Sequence, residues 1–102
     1  MNPIRVRLDE QDRRILVEVT GELCVSTAPQ LDAVVSELRL DRARRLHLDL
    51  SGVDFCDLAG MRMISAIRSR CAREGVRVRV RQSPALRGLA RIVDAIAAAH
   101  AA

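Results

Sequence analysis

The chain has 102 residues, which is the length of a single domain. Hydrophobic residues make up 49% of it, but Phe55 is the only aromatic residue, so aliphatic side chains must fill the core. A platform of aromatic rings for stacking single-stranded nucleic acid is therefore not expected. The formal net charge of +4 rests on 17 basic residues, all of them arginine, and because they are scattered along the chain we interpret them as a compositional bias of solvated faces.

The cysteines give no metal or disulfide pattern. Cys24, Cys56 and Cys71 lack metal-ligand spacing, and their odd number argues against a complete disulfide framework. There is no visible signal peptide and no apolar run near the ~18–20 residues of a membrane span. We therefore expect a cytoplasmic protein with reduced thiols, no metal and no cofactor.

Alternating apolar residues predict an initial β-hairpin. Ile4, Val6 and Leu8 lie on one face of a first strand, a polar turn covers 9–12, and the alternation resumes over 14–20. The connection that follows ends in residues typical of a helix start. The side-chain hydroxyl of Ser26 or Thr27 is expected to accept a hydrogen bond from an N–H group of the first helical turn. The helix then carries an apolar stripe formed by Leu31, Val34, Val35 and Leu38.

Residues 45–63 form the stretch around which the chain is organised. The alternating leucines from Leu46 to Leu50 predict a strand, 51–52 interrupts it, and 53–56 gives a second short extended run. Asp57 precedes a long helical pattern, where its carboxylate can bind the unpaired N–H groups of the first turn. A helix cap and a part in a binding loop are equally favoured for this residue, and the two roles are compatible.

The remaining pattern completes an alternation of strands and helices. Gly75 ends the second helix, since glycine adopts the left-handed conformation at small cost. Alternating valines over 76–80 predict a strand, Ser83 followed by Pro84 opens a last helix, and the Ala-rich residues 95–102 are a helical extension or a frayed tail. The order β-β-α-β-α-β-α predicts an α/β fold, with helices packed on a mixed sheet of four to five strands.

Few residues offer catalytic chemistry. His47 lies in a strand without a nucleophile or metal set nearby, and no phosphate-binding glycine loop is present. Asp54 and Asp57 are better explained as acceptors for backbone donors than as an acid–base pair. Cys24 and Cys56 both end strands and are expected at the same end of the sheet, more as buried small hydrophobes than as a redox pair.

In their order and spacing, several motifs resemble the STAS domain and, more narrowly, the bacterial anti-sigma factor antagonists. They are Gly21-Glu22-Leu23, Thr27-Ala28-Pro29, Leu48-Asp49-Leu50-Ser51-Gly52-Val53, Phe55, Asp57-x-x-Gly60, Gly75 and Ser83-Pro84. The resemblance covers about 4–94 of a single domain that we expect to span 1–102. It implies that the fold is a STAS-type mixed sheet.

The resemblance also implies a partner-switching role. In that family the unphosphorylated antagonist binds an anti-sigma factor, usually a serine kinase of the histidine-kinase-like ATPase fold, and so frees the sigma factor. The kinase phosphorylates a Ser or Thr directly after the aspartate that corresponds to Asp57. A phosphate adds about −1.5 to −2 charges at pH 7 to the contact surface, which breaks the complex.

This chain departs from the family at the switch itself. Leu58 stands where the hydroxyl should be, Ala59 offers none, and Cys24 replaces an aspartate usual in the preceding connection. We therefore expect partner binding without phosphorylation at the usual site, with Leu58 adding an apolar group to a constitutive interface. The expected contact residues are Asp57, Leu58, Gly60, Met61, Arg62, Glu22, Cys24, Ser26 and Thr27.

Other functions rank behind this one. The first is a STAS subunit of a larger assembly, such as an accessory protein of an ABC transporter or a stressosome-like complex. Nucleic-acid binding through Arg77, Arg79 and Arg81 rests on charge alone and is not expected. A weak homodimer is compatible with the sequence, and an enzyme is the least favoured class.

Overall fold

A four-stranded sheet organises the chain. The computed structural model describes residues 3–100. Its elements are β1 (Arg5–Gln11), β2 (Arg14–Leu23), α1 (Ala28–Ser36), a 3-10 turn (Leu40–Arg42), β3 (Arg45–Cys56), α2 (Leu58–Arg73), β4 (Arg77–Gln82) and α3 (Pro84–His100). The strand order is β1-β2-β3-β4, with β1 antiparallel to β2 and the other pairs parallel. The predicted α/β class and mixed sheet are confirmed.

The hairpin between β1 and β2 is tighter than the sequence indicates. Gln11 pairs with Arg14, which leaves a turn of only Asp12 and Arg13. Both turn residues have positive φ, 50° and 63°. This backbone twist is the one that joins two right-handed strands through a two-residue turn. Residues 9–11, expected in the turn, therefore belong to β1.

β3 is one continuous strand, so the expected break at 51–52 is wrong. The break is a bulge instead, because Glu18 pairs with Asp49 while Thr20 pairs with Gly52. The Asp49 carboxylate accepts hydrogen bonds from the Ser51 backbone N–H (3.0 Å) and hydroxyl (2.6 Å). These bonds satisfy a donor that the irregular ladder would otherwise leave open.

The core lies on one face of β2 and β3. The leucines from Leu46 to Leu50 that alternate along β3 are fully buried, as are Val17 and Val19 of β2. α2 packs on β3 and β4, α1 packs on α2, and α3 packs on β3 and β4. The connection 24–27 follows the carboxyl end of β2, and the start of α2 follows that of β3.

The predicted helix ends are partly right. Ser83 caps α3, since its Oγ accepts from Leu86 N at 3.3 Å, and Gly75 takes φ +72° after α2. Thr27 is the N-cap residue of α1, but neither it nor Ser26 makes the predicted hydrogen bond to the first turn. α3 runs to His100, and the last two positions of the expected tail, 101–102, lie outside the described residues. No helix within residues 3–100 is long and apolar enough to cross a membrane.

Candidate functional site

Two loops meet at the carboxyl ends of β2 and β3. Leu23 and Cys56 form the last pair of the parallel ladder, and Asp57 N then donates to Leu23 O at 3.3 Å. Because parallel strands end at the same edge of a sheet, the loop 24–27 and the start of α2 lie side by side. Most of the predicted contact residues are thereby brought to one edge.

Asp57 joins these two loops. Its Oδ1 accepts from Gly60 N at 2.9 Å, which caps α2, and its Oδ2 accepts from Val25 N at 3.1 Å in the other loop. The backbone N–H of Gly60, and after it that of Val25, hold the pKa of the Asp57 carboxyl below its ordinary value. Asp57 is thus a helix cap and a member of the loop cluster at once, and both carboxylate oxygens are occupied.

Gly60 allows the start of α2 to lie directly against β2. A Cβ at this position would come within 2.4 Å of Leu23 O and 2.6 Å of Cys56 Sγ. The backbone of β2 therefore makes the close approach that this glycine permits. Gly60 is buried, so it positions the surface from beneath.

Loop 24–27 is held by its own hydroxyls. Thr27 Oγ1 accepts from Cys24 N at 2.9 Å and donates to Glu22 O at 2.7 Å. The Cys24 sulfur lies 3.1 Å from Ser26 Oγ and 3.6 Å from Thr27 Oγ1. The hydrogen bond with Ser26, followed by that with Thr27, lowers the pKa of the Cys24 thiol.

The pKa of Cys56, the second cysteine at this edge, is shifted in the opposite direction. Burial, then the negative charge of Asp57, raises the pKa of the Cys56 thiol to about 11. Cys56 Sγ donates to Asp57 O at 3.4 Å. Both Cys24 and Cys56 lie at this end of the sheet, as the sequence predicts, and both are free thiols.

Three large apolar side chains are exposed at this edge. Val25 is 72% exposed, Leu58 57% and Phe55 50%. We call these three residues the apolar edge. Leu58 was among the predicted contact residues, but Val25 and Phe55 were missed because large apolar side chains are normally assigned to the core. An apolar residue inside the polar loop 24–27 was the signal for Val25.

The other predicted contact residues differ in exposure. Arg62 and Ser26 are exposed, Glu22 is half-buried, and Met61 is half-buried against the core. Between residues 3 and 99, no three His, Cys, Asp or Glu side chains come together in a way that would hold a metal ion. The chemistry available at this edge is therefore apolar contact with a few polar and charged groups beside it.

Comparison with known proteins gives the family. The family model described as "Mlab, STAS domain" matches residues 6–99. The chain belongs to the STAS domain family. A relative named "Anti-sigma-B factor antagonist" from Staphylococcus aureus (strain NCTC 8325 / PS 47) is 33% identical over 58 residues, 57% of this chain. The match covers 54% of that relative, so the chain spans about half the length of the curated relative it matches.

Solved structures give the same fold for this STAS domain. An anti-sigma factor antagonist from Mycobacterium paratuberculosis aligns with a TM-score of 0.74 and 27% identity, over 89% of this chain and 78% of that one. The anti-sigma factor antagonist SpoIIAA in its unphosphorylated form aligns with a TM-score of 0.66 over 83% of this chain and 80% of its own, but at 16% identity it shows the fold alone. The protein is thus an anti-sigma factor antagonist-like STAS domain.

Proposed function

We propose that this STAS domain binds an anti-sigma factor of the serine-kinase type in the cytoplasm, through the apolar edge, and that the usual phosphorylation does not control the contact. The observation that carries the proposal is the exposure of Val25, Phe55 and Leu58 at the edge where Asp57 joins two loops. Exposed apolar side chains grouped on an ordered surface are typical of a protein interface. The anti-sigma partner is inferred from the named relatives.

The identity of Leu58 supports a contact that is not controlled by phosphorylation at the usual site. It follows Asp57 at the first position of α2, where the family carries its phosphorylated hydroxyl, and its exposed side chain has no atom that can accept a phosphate. The neighbouring hydroxyl of Thr27 is engaged with two backbone groups of its own loop. Because no phosphate can be added at position 58, the charge of this position does not change with the activity of a kinase.

Binding without catalysis also fits the polar groups of the edge. A general base works best when its pKa lies near the operating pH. The backbone N–H groups of Gly60 and Val25 hold the pKa of the Asp57 carboxyl below its ordinary value, and His47 lies near the beginning of β3, away from this edge. We infer that the protein acts as a binding module and has no enzymatic activity of its own.

A second candidate is a permanent subunit of a larger assembly, such as an accessory protein of an ABC transporter or a stressosome-like complex. The same residue favours it, because a permanent contact has no use for a phosphorylated hydroxyl at position 58. The two candidates differ in partner. Capture of the bound protein from the native cell, followed by its identification as a kinase-type anti-sigma factor or as an assembly subunit, separates them.

The test of the contact surface is Leu58→Asp, with Leu8→Asp as its matched control. Leu8 is 41% exposed on β1, so both changes place a charge on an exposed leucine. We expect Leu58→Asp to weaken binding to the anti-sigma factor by at least about tenfold, or about 1.4 kcal/mol, because a carboxylate is desolvated in an apolar contact. Leu8→Asp should bind as the wild type does.

The affinities are measured by calorimetric titration, and circular dichroism confirms that both variants are folded. Equal affinities for wild type and Leu58→Asp would remove the apolar edge from the interface.

A further inference from the structure

The last strand of the sheet, β4, has one unpaired side. The strand order is β1-β2-β3-β4, and in the part of the chain that the structure describes no strand pairs with the far side of β4. Arg77 N donates to Arg44 O, just before β3, at 2.9 Å, so the backbone groups of every second residue from Arg77 onward face β3. The backbone groups of Val78 and Val80 therefore point away from the sheet, and unpaired N–H and C=O groups of this kind can bind one more strand.

Arginines from three elements lie beside this unpaired strand. A groove of about 570 Å³ is lined by Arg79 and Arg81 of β4, Arg68 of α2 and Arg87 of α3, together with His47, Val80 and Gln82. We call it the β4 groove. All four arginines are exposed, and no acidic side chain lines the groove.

The arginines of the β4 groove do not form ion pairs with acids of the same chain. Within residues 3–99, the ion pairs engage other arginines, on β1 and before the 3-10 turn. Asp49 lies opposite Arg81 in the ladder, but its carboxylate accepts hydrogen bonds from the N–H and the hydroxyl of Ser51. The guanidinium groups can therefore bind the carboxylates of another molecule.

We propose that an acidic segment of another protein binds along β4 as an additional strand. Its backbone pairs with the outward N–H and C=O groups of Val78 and Val80, and its carboxylates bind the guanidinium groups of the β4 groove. Opposite charges on neighbouring strands stabilise a sheet, so an acidic strand matches this one. The six residues of β4 set the length of the segment that can pair.

A second copy of this chain does not suit the same position. Pairing of β4 with β4 would bring two rows of arginines together, and like charges directly opposite each other are destabilising. Charges on an outer strand do protect it from such self-association. Arg68 and Arg87 come from helices, however, and protection of β4 by its own side chains does not require them.

Nucleic acid suits the β4 groove less well than an acidic peptide does. Single-stranded nucleic acid is bound largely through stacking on aromatic rings, and Phe55, the one aromatic residue, is on β3. A nucleic acid backbone also has no N–H and C=O ladder to pair with Val78 and Val80. The proposal is independent of the proposed function, because the apolar edge lies at the carboxyl ends of β2 and β3.

The test uses the full chain and a synthetic peptide about as long as β4, with alternating glutamate and threonine. A second peptide of the same sequence and charge is methylated on two consecutive central backbone nitrogens, so that neither of its sides can pair as a strand. Affinities are measured by NMR titration at about 150 mM NaCl. We expect the unmethylated peptide to bind at least about fivefold more tightly. Amide hydrogen exchange at Val78 and Val80 should slow in its complex.

The arginines are tested by a double variant with a matched control. The groove variant is Arg79→Gln/Arg87→Gln, and the control is Arg5→Gln/Arg42→Gln, which removes two exposed arginines elsewhere and has the same net charge. We expect the groove variant to bind the peptide at least about fivefold more weakly and the control to stay within about twofold. Leu58→Asp should bind the peptide as the wild type does, which separates this contact from the apolar edge.

Four results would overturn the proposal. They are no measurable binding of the peptide to the wild type, equal binding of the methylated peptide, equal weakening in the groove variant and the control, and tighter binding of a single-stranded DNA than of the peptide at the same salt concentration. If the double variant fails to fold by circular dichroism, Arg87→Gln alone is compared with Arg42→Gln.

Discussion

Gly60→Ala is predicted to destabilise the fold at the point where α2 begins. Glycine inside a helix is normally the weaker residue, and alanine gains about 1 kcal/mol there. At Gly60 the added methyl group would lie 2.4 Å from Leu23 O, a backbone atom that cannot rotate away, and 2.6 Å from Cys56 Sγ. The helix start must therefore move away from β2, and the hydrogen bond between Gly60 N and Asp57 must lengthen.

The magnitude follows from these opposing terms. Overpacking in a close-packed site costs about 1–3 kcal/mol, and a fixed backbone neighbour places this site at the upper end. Subtracting the gain of alanine in a helix leaves a net loss of about 2 kcal/mol. For a domain of this size that corresponds to a melting temperature lower by about 10 °C.

Gly88→Ala is the matched control in the same chain. Gly88 is exposed in α3, and a Cβ there would meet no atom within 4 Å. The same substitution should therefore raise the free energy of unfolding by up to about 1 kcal/mol. Thermal and urea unfolding of the two variants measure the difference. A Gly60→Ala protein as stable as wild type, or as stable as Gly88→Ala, would refute the proposed close contact between α2 and β2.

Three further predictions concern the same edge. Because the pKa of Asp57 is lowered from its ordinary 3.8 in the folded state, its contribution to stability is present above that value and is lost as the pH falls below it. The stability difference between wild type and Asp57→Asn in urea titrations should thus shrink from pH 7 to pH 3, and a constant difference would contradict it. Iodoacetamide at neutral pH should label Cys24 before Cys71, because Cys71 is fully buried and burial raises its pKa, whereas hydrogen bonds lower the pKa of Cys24. Faster labelling of Cys71, measured by mass spectrometry of the peptides, would contradict these thiol environments. The partner kinase should phosphorylate Leu58→Ser and leave the wild type unlabelled, and strong labelling of the wild type at another residue would argue against an unswitched contact.

Local signals in the sequence predict much of this fold. Ser83 is assigned correctly as a cap because its partner, Leu86 N, is three residues away in the same turn. Gly75 is assigned correctly for the same reason, since the end of α2 depends on its own backbone conformation. The hydrogen bond predicted from Thr27 to the first turn of α1 was wrong, because its hydroxyl binds two nearer groups in its own loop. These are the N–H of Cys24 and the carbonyl of Glu22.

Features that depend on a second element are harder to predict. The bulge in β3 exists only relative to β2, so from one strand alone Ser51 and Gly52 look like an interruption. The exposure of Val25 and Phe55 likewise depends on how the other elements of the fold pack around them, which the local sequence does not indicate. The role of Leu58 was predictable only through the family motif, because periodicity alone gives an apolar residue at a helix start no special meaning.

The bulge opposite Val19 also affects the mechanics of the sheet. Because β3 advances three residues from Asp49 to Gly52 while β2 advances two, the ladder cannot slide by one residue without losing this bulge and turning the buried side chains of β3 to the other face of the sheet. The irregularity therefore works as a lock on the register of the central strand pair. Because the register is fixed, a force applied to the loops at one end of the sheet would displace β3 as a rigid unit. The bulge opposes sliding of β3 along β2.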